Sequence, residues 1–185
     1  MIICCGEALI DMIPKPTTEG ATAFQPFNGG AVFNTAIALG RLGAPTAMLT
    51  GLSRDMFGEQ LLAGLAESGV DASPSVRSDR PTTLAFVRLV DGQASYSFYD
   101  ENSAGRMLSA DDFPVLDDSI TTAFFGGISL ISEPCGTAYE SLFTKLSENR
   151  VTMVDVNVRP GFINDEAAYR ARVERMTSRA DIVKM

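Results

Sequence analysis

The 185 residues include no histidine, and that absence removes histidine-dependent triads, histidine-ligated zinc and imidazole general bases together. Any catalysis falls to carboxylates, lysine, arginine, bound ions and backbone dipoles. No apolar run approaches the roughly 18 residues of a membrane-spanning helix. The start, MIICCGEALIDMIP, has no basic leader segment and reaches Glu7 too soon for a secretory signal, so the expected setting is the cytoplasm. A formal net charge of −8 gives no long-range attraction to nucleic acid or an anionic membrane, and neither is expected as a partner. The three cysteines, Cys4, Cys5 and Cys135, cannot all pair internally, and reduced buried thiols are expected.

Both common nucleotide-loop signatures are missing too. Neither G-x-G-x-x-G nor G-x-x-x-x-G-K-[ST] occurs, which argues against a dinucleotide-dependent oxidoreductase and against a phosphate loop.

What is present reads as an α/β protein. Hydrophobic residues make up 45% of the chain, enough for a real core. Short apolar runs, MIICCGEALIDMI, PTAMLTGL, TAFFGGISLI, RVTMVDVNV and ADIVKM, suit buried strands. Between them lie helix patterns. Val32, Phe33, Ala36, Ile37, Leu39 and Leu42 share one face, with Gly43 as the stop. Phe57, Leu61, Leu62 and Leu65 share another, with Asp55 as N-cap and Gly69 as the stop. A third helix carries Ala138, Tyr139, Leu142, Phe143 and Leu146; a fourth starts near Asn164 with acidic residues first and arginines last, in keeping with the helix dipole. This alternation predicts a parallel sheet covered on both faces.

One segment departs from that rhythm. TTLAFVRLVDGQASYSFYD reads as two strands around Asp91-Gly92, a dipeptide suited to a tight hairpin turn. With MIPKPTTEGATAFQPF it predicts a small antiparallel sheet, a lid or a plain edge hairpin, over about residues 12–27 and 82–100. ADIVKM stops inside what reads as a buried strand with no polar tail, so residues 1–185 are expected to be the amino-terminal part of one larger domain.

Three places carry candidate chemistry. In FNGGAVFN, Gly29 and Gly30 allow a ligand to approach the backbone at a helix start, and Asn34 stands one turn further on with an amide that both donates and accepts. That pairing suits a polyol; a tight loop requiring positive φ is the structural alternative. In VTMVDVNVRPGF, Asp155, Asn157 and Arg159 share one side of an extended strand, opposite Val154, Val156 and Val158. Arg159 would then meet phosphate and Asp155 or Asn157 would hold water around Mg2+, unless the three form an internal salt bridge and cap. Asp11, expected to close the first strand, is placed to accept hydrogen bonds from sugar hydroxyls, or else serves as a turn aspartate before Pro14.

GEALIDMIP, NGGAVFNTAIALGRLGA, GLSRDMFGEQLLAGLAESGVD, DVNVRP and ADIVKM together resemble the ribokinase-like (PfkB) carbohydrate kinases, most closely their bacterial fructokinase-like branch. The resemblance implies a three-layer α/β/α sandwich with a β-sheet lid, and ATP-dependent phosphorylation of a sugar with Mg2+. By position it implies that Asp11, Gly29, Gly30 and Asn34 hold sugar hydroxyls under a lid bearing Phe98. Asn157 and Arg159 would face the phosphates, and Lys184 would lie near the nucleotide. It also implies a possible homodimer through the lid, whose aromatic residues Phe86, Tyr96, Phe98 and Tyr99 could equally cover substrate.

Two departures from the family pattern matter. The Gly-Ala-Gly-Asp run that carries the family's catalytic aspartate does not occur in these residues, so the chain alone is expected to be inactive. Asp100 stands where relatives that bind sugar acids carry an arginine; an aspartate would repel a carboxylate and points to a neutral sugar such as fructose. The alternatives are a kinase of another sugar, such as 2-keto-3-deoxygluconate or ribose, and a non-catalytic sugar-binding or regulatory module.

Overall fold

The computed structural model describes residues 1–90 and 93–185, so the expected Asp91-Gly92 turn lies outside the described residues. The apolar run at the start divides at Gly6. There a side chain would collide with Val32 and Ser129, and the chain turns from β1 (Ile2–Cys5) into β2 (Leu9–Pro16), which belongs to a different sheet. Asp11 therefore does not close the first strand. It lies inside β2, paired with Phe27 of β3 (Thr22–Gly29).

The helix patterns resolve as the spacing predicts, except that Leu42, expected on the apolar face of the first helix, lies just past its end and is exposed. Gly30, at φ 104°, precedes α1 (Ala31–Arg41), and β4 (Thr46–Leu49) and β5 (Gly51–Ser53) follow. Next, α2 (Met56–Glu67) starts at Asp55, whose carboxylate accepts from Phe57 N at 3.1 Å and Gly58 N at 2.8 Å. Short strands β6 (Val70–Asp71) and β7 (Val76–Ser78) lead to β8 (Leu84–Val90) and β9 (Gln93–Tyr99). The remainder runs β10 (Thr122–Gly126), α3 (Cys135–Leu146), β11 (Val151–Asp155), α4 (Glu166–Thr177) and β12 (Ile182–Lys184).

The central sheet has the order β12-β11-β10-β1-β4-β6 and is parallel throughout. Alternation along its strands feeds two cores. Ile3, Cys5, Ala47, Leu49, Ala123 and Phe125 pack toward α3 and α4, whose Tyr139, Phe143, Tyr169 and Met176 meet them. Cys4, Met48 and Phe124 pack the other way, against Val32, Phe33 and Ala36 of α1 and Leu61 and Leu65 of α2. The result is the α/β/α sandwich. β12 differs from expectation: it is exposed at the sheet's edge, with Ile182 49% accessible.

A second sheet, ordered β3-β2-β8-β9, stands where the lid was expected, but it is mixed rather than antiparallel: the two hairpins β2–β3 and β8–β9 join through a parallel β2–β8 pair. Its pairing places Asp11, Phe27, Ala85 and Phe98 in one row on one face, with Tyr96 beside Val87 in the next row of that face. Phe24, Phe86 and Tyr99 lie on the other face in edge-to-face contact, with centroids 5.0 and 5.4 Å apart. The lid's aromatic residues thus divide between two surfaces. Among the described residues no helix is long and apolar enough to cross a membrane.

Candidate functional site

The order of the central sheet reverses between β1 and β10, and the carboxyl ends of such strands are where an open α/β sheet presents its crevice. Glu7 sits there. Its Oε1 accepts from Ala31 N at 2.8 Å and from Val32 N at 3.4 Å, its Oε2 accepts from Ser129 N at 3.3 Å, and its carbonyl accepts from Phe33 N at 3.2 Å. The α1 amides expected to receive a ligand are thus already capped by the chain's own carboxylate. A lone acid interrupting an apolar run needs buried donors, and that was the signal in the sequence for this residue. Burial pushes the Glu7 carboxyl up from its ordinary value, against the pull of its hydrogen bonds.

With the helix start taken, a ligand at the paired glycines faces side chains. A Cβ on Gly29 would overlap the Asp11 carboxylate, and one on Gly30 would stand 2.8 Å from Glu7 O. Gly29 therefore allows close approach, whereas Gly30 supplies the positive φ. Burial also raises the Asp11 carboxyl, yet among the described residues no donor reaches it. Asn34, one turn into α1, is exposed, and its amide likewise has no hydrogen-bond partner among them. Asn28, beside the glycines, faces away: Gln60 Nε2 of α2 donates to its Oδ1 at 2.8 Å.

Phe98 lies two strands from Asp11 in the same row, about 10 Å at ordinary strand spacing. Its ring meets Phe162 at 4.5 Å, edge to face. Phe162 belongs to the single turn Pro160–Phe162 just after Arg159, so this contact joins the lid to the end of β11. Between them opens a cleft of about 500 Å³, lined in part by Tyr96, Phe98, Asp100, Arg106, Ser132 and Phe162, within the usual range for a small-molecule site. Asp100 is not the bare charge expected from the sequence. Arg106 Nη1 donates to its Oδ1 at 3.0 Å and Ser132 Oγ to its Oδ2 at 3.4 Å.

The expected row of three polar residues on β11 does not form. The strand ends at Asp155, and Asn157 adopts φ 40°, which turns the chain out of its alternation. Val154 and Val156 are buried as predicted, but Val158 is 48% accessible. Asp155 Oδ2 accepts from Lys184 Nζ at 2.7 Å across the β11–β12 pair, and Asp155 Oδ1 is buried without a partner. Arg159 is exposed and donates to its own Val158 carbonyl at 3.0 Å. Asp155 and Lys184 are thus brought together, Asn157 and Arg159 follow Asp155 in the chain, Asp11 and Gly29 meet at the lid's base, and Asn34 lies one turn past Gly30 on α1.

A lone orphaned carboxylate oxygen suits a magnesium ion that keeps its waters and is held mainly by nucleotide phosphates. It does not suit a protein cage, and no group of three acidic or thiol side chains with ligand geometry occurs among the described residues. The three cysteines are all free and buried.

The sequence profile described as pfkB family carbohydrate kinase matches residues 1–185. A fructokinase of Rhizobium leguminosarum bv. trifolii is 55% identical over 184 residues, a match covering all of this chain and 56% of that protein. Fructokinase-1 of Zea mays is 37% identical over 194 residues, covering all of this chain and 59% of that one. Among solved structures, a fructokinase from Xylella fastidiosa superposes with a TM-score of 0.88 at 30% identity, over 98% of this chain and 58% of that one. A second structure of that enzyme, with bound ATP, gives the same score and identity over 59% of its length. The chain spans somewhat under three fifths of the length of these relatives.

Proposed function

Because the chain belongs to the pfkB family of carbohydrate kinases, we propose that it is the sugar-binding part of a fructokinase-like enzyme that transfers phosphate from ATP to a neutral sugar. The observation that carries this reading is Asp11: a partly desolvated carboxylate, without a donor among the described residues, set against Gly29 at the entry to the helix that carries the exposed Asn34. Vicinal hydroxyls supply the missing donors and an acceptor for the amide. Phe98 would close over the sugar's apolar face, and its contact with Phe162 would carry that closure to the end of β11.

Phosphoryl transfer asks chiefly for positioning and charge stabilisation. Asn157, Arg159 and Lys184 are the groups we assign to the phosphate side. Lys184 would exchange its bond to Asp155 for a nucleotide oxygen, releasing that carboxylate toward waters of the magnesium ion. When bound, magnesium supplies neutralisation of phosphate charge. The residues described here hold and orient; a base for the sugar hydroxyl is not among those we assign, so we expect no turnover from this chain alone. A homodimer through the outer lid face is supported by the exposed Phe24 and Tyr99 packed on the half-buried Phe86, and buried reduced thiols support a cytoplasmic setting.

The test has two arms. Calorimetric titration with fructose is expected to show binding that Asp11→Ala abolishes, and an ATP/fructose coupled assay of the same chain is expected to show no phosphorylation. Absence of fructose binding would remove the sugar-site reading, and substantial turnover would place the base within these residues.

A further inference from the structure

Three guanidinium groups stand near the cleft between lid and sheet, and their commitments differ. Arg172 is 6% accessible and bonded to Leu130 O, Glu133, Glu140 and Thr137. Arg159 lies outside, on its own backbone. Arg106 remains: its side chain, 31% accessible, lines the cleft and meets one carboxylate, that of Asp100, itself 21% accessible. The other acids of the cleft wall are engaged elsewhere, Glu133 with Arg172 and Asp165 as the cap of α4.

The fold holds this pair in place from several sides. Asn102, at φ 60°, turns the chain so that Ser103 N donates to Asp100 O at 3.0 Å. Ser103 Oγ is within 2.7 Å of Thr83 Oγ1, and Ala104 N donates to Pro81 O at 2.9 Å. Arg106 Nε donates to Glu133 O at 3.2 Å, and its carbonyl accepts from Cys135 N at 3.2 Å. A preorganised guanidinium facing a sugar-sized cleft is a carboxylate receptor. Here the receptor already contains a carboxylate.

Building on the sugar-site reading above, we propose that Asp100 acts as an internal substitute for a substrate carboxylate. By occupying Arg106 it closes the cleft to sugar acids and leaves it open to neutral sugars. Selectivity then comes from competition for Arg106 as well as from repulsion by a negative side chain, and removal of Asp100 exposes a latent acid site rather than a merely neutral surface.

The test is calorimetric titration of the chain, its Asp100→Ala and Asp100→Asn variants and the double variant Asp100→Ala/Arg106→Ala, each with fructose and with gluconate. Asp100→Ala is expected to bind gluconate about tenfold or more tightly than the parent, the size of one charge-assisted hydrogen bond. That gain should shrink with added salt and vanish in the double variant. Asp100→Asn, which retains the side chain's shape, should show a smaller gain and decides the matter if Asp100→Ala does not fold. Unchanged gluconate affinity in the folded variants, or a gain that survives loss of Arg106, overturns the proposal. The gluconate arm stands apart from the fructose arm: if the parent fails to bind fructose while Asp100→Ala binds gluconate through Arg106, the neutral-sugar reading falls and the pair's role stands.

Discussion

The carboxylate of Asp11 fills the space that a side chain on Gly29 would need, although the two residues belong to neighbouring strands and are not directly paired. Gly29→Ala should therefore push the carboxylate aside and overpack the base of the lid, lowering stability by about 1–3 kcal/mol. Fructose binding should weaken in parallel. Gly161→Ala is the control, because nothing lies within 4 Å of a Cβ there, and its effect should stay within about 0.5 kcal/mol. Urea midpoints at unchanged slope, with fructose titrations of both variants, check the pair.

Glu7 yields a prediction about pH. Burial holds its folded-state pKa above the ordinary value of about 4.3, so folding raises this group's affinity for a proton. The group's contribution is fully present below the unfolded value and is lost as pH rises through the folded one. The stability advantage of the parent over Glu7→Gln should accordingly shrink between acid and neutral pH. Glu7→Ala should lose about 2 kcal/mol or more at neutral pH, because the amides of Ala31, Val32 and Ser129 lose their acceptor. Thermal melts across the pH series read both effects.

Asp55 should behave with the opposite sign. Burial works against its ionisation, but hydrogen bonds from the Thr82 hydroxyl, Gly58 N, Thr82 N and Ser53 outweigh it and hold the carboxyl below its usual range. Its contribution is present above the unfolded value of about 3.9 and is lost as pH falls through the folded one. Asp55→Asn should therefore flatten the acid limb of the stability curve below about pH 4 and loosen the joint between α2 and the lid strand that begins after Thr82. An unchanged acid limb would show that the carboxylate carries none of it.

These residues also show what the sequence discloses. Asp55, Gly43 and Gly69 announce helix ends because capping is local chemistry, settled within a few residues. The strands β1, β4 and β10 were equally legible as short continuous apolar runs, since each buries both faces. The division of the first apolar run between two sheets was not, because it depends on Val32 and Ser129, far away in the chain, crowding Gly6. The row expected on β11 failed for a single reason, the left-handed backbone of Asn157. The Asp100–Arg106 pair was likewise hidden, being fixed by contacts to Pro81, Thr83 and Glu133.

Arg172 tests whether α4 is locked to α3 through charge or through packing. Its guanidinium is buried, donates to Leu130 O at 2.8 Å and is paired with Glu133 and with Glu140, at 3.2 Å from the latter. Removing the guanidinium leaves the buried Leu130 O without that donor and opens a void, whereas the half-exposed Glu133 is solvated, so Arg172→Ala should cost about 1–3 kcal/mol. Arg172→Met restores the volume but not the charge. Glu140 would keep Arg175, whose Nη2 reaches it at 3.0 Å, whereas Leu130 O and Glu133 would lose their arginine donor. If the cluster acts through charge compensation, Met should recover less than half of the Ala loss in denaturant titrations; near-complete recovery would assign the lock to side-chain packing.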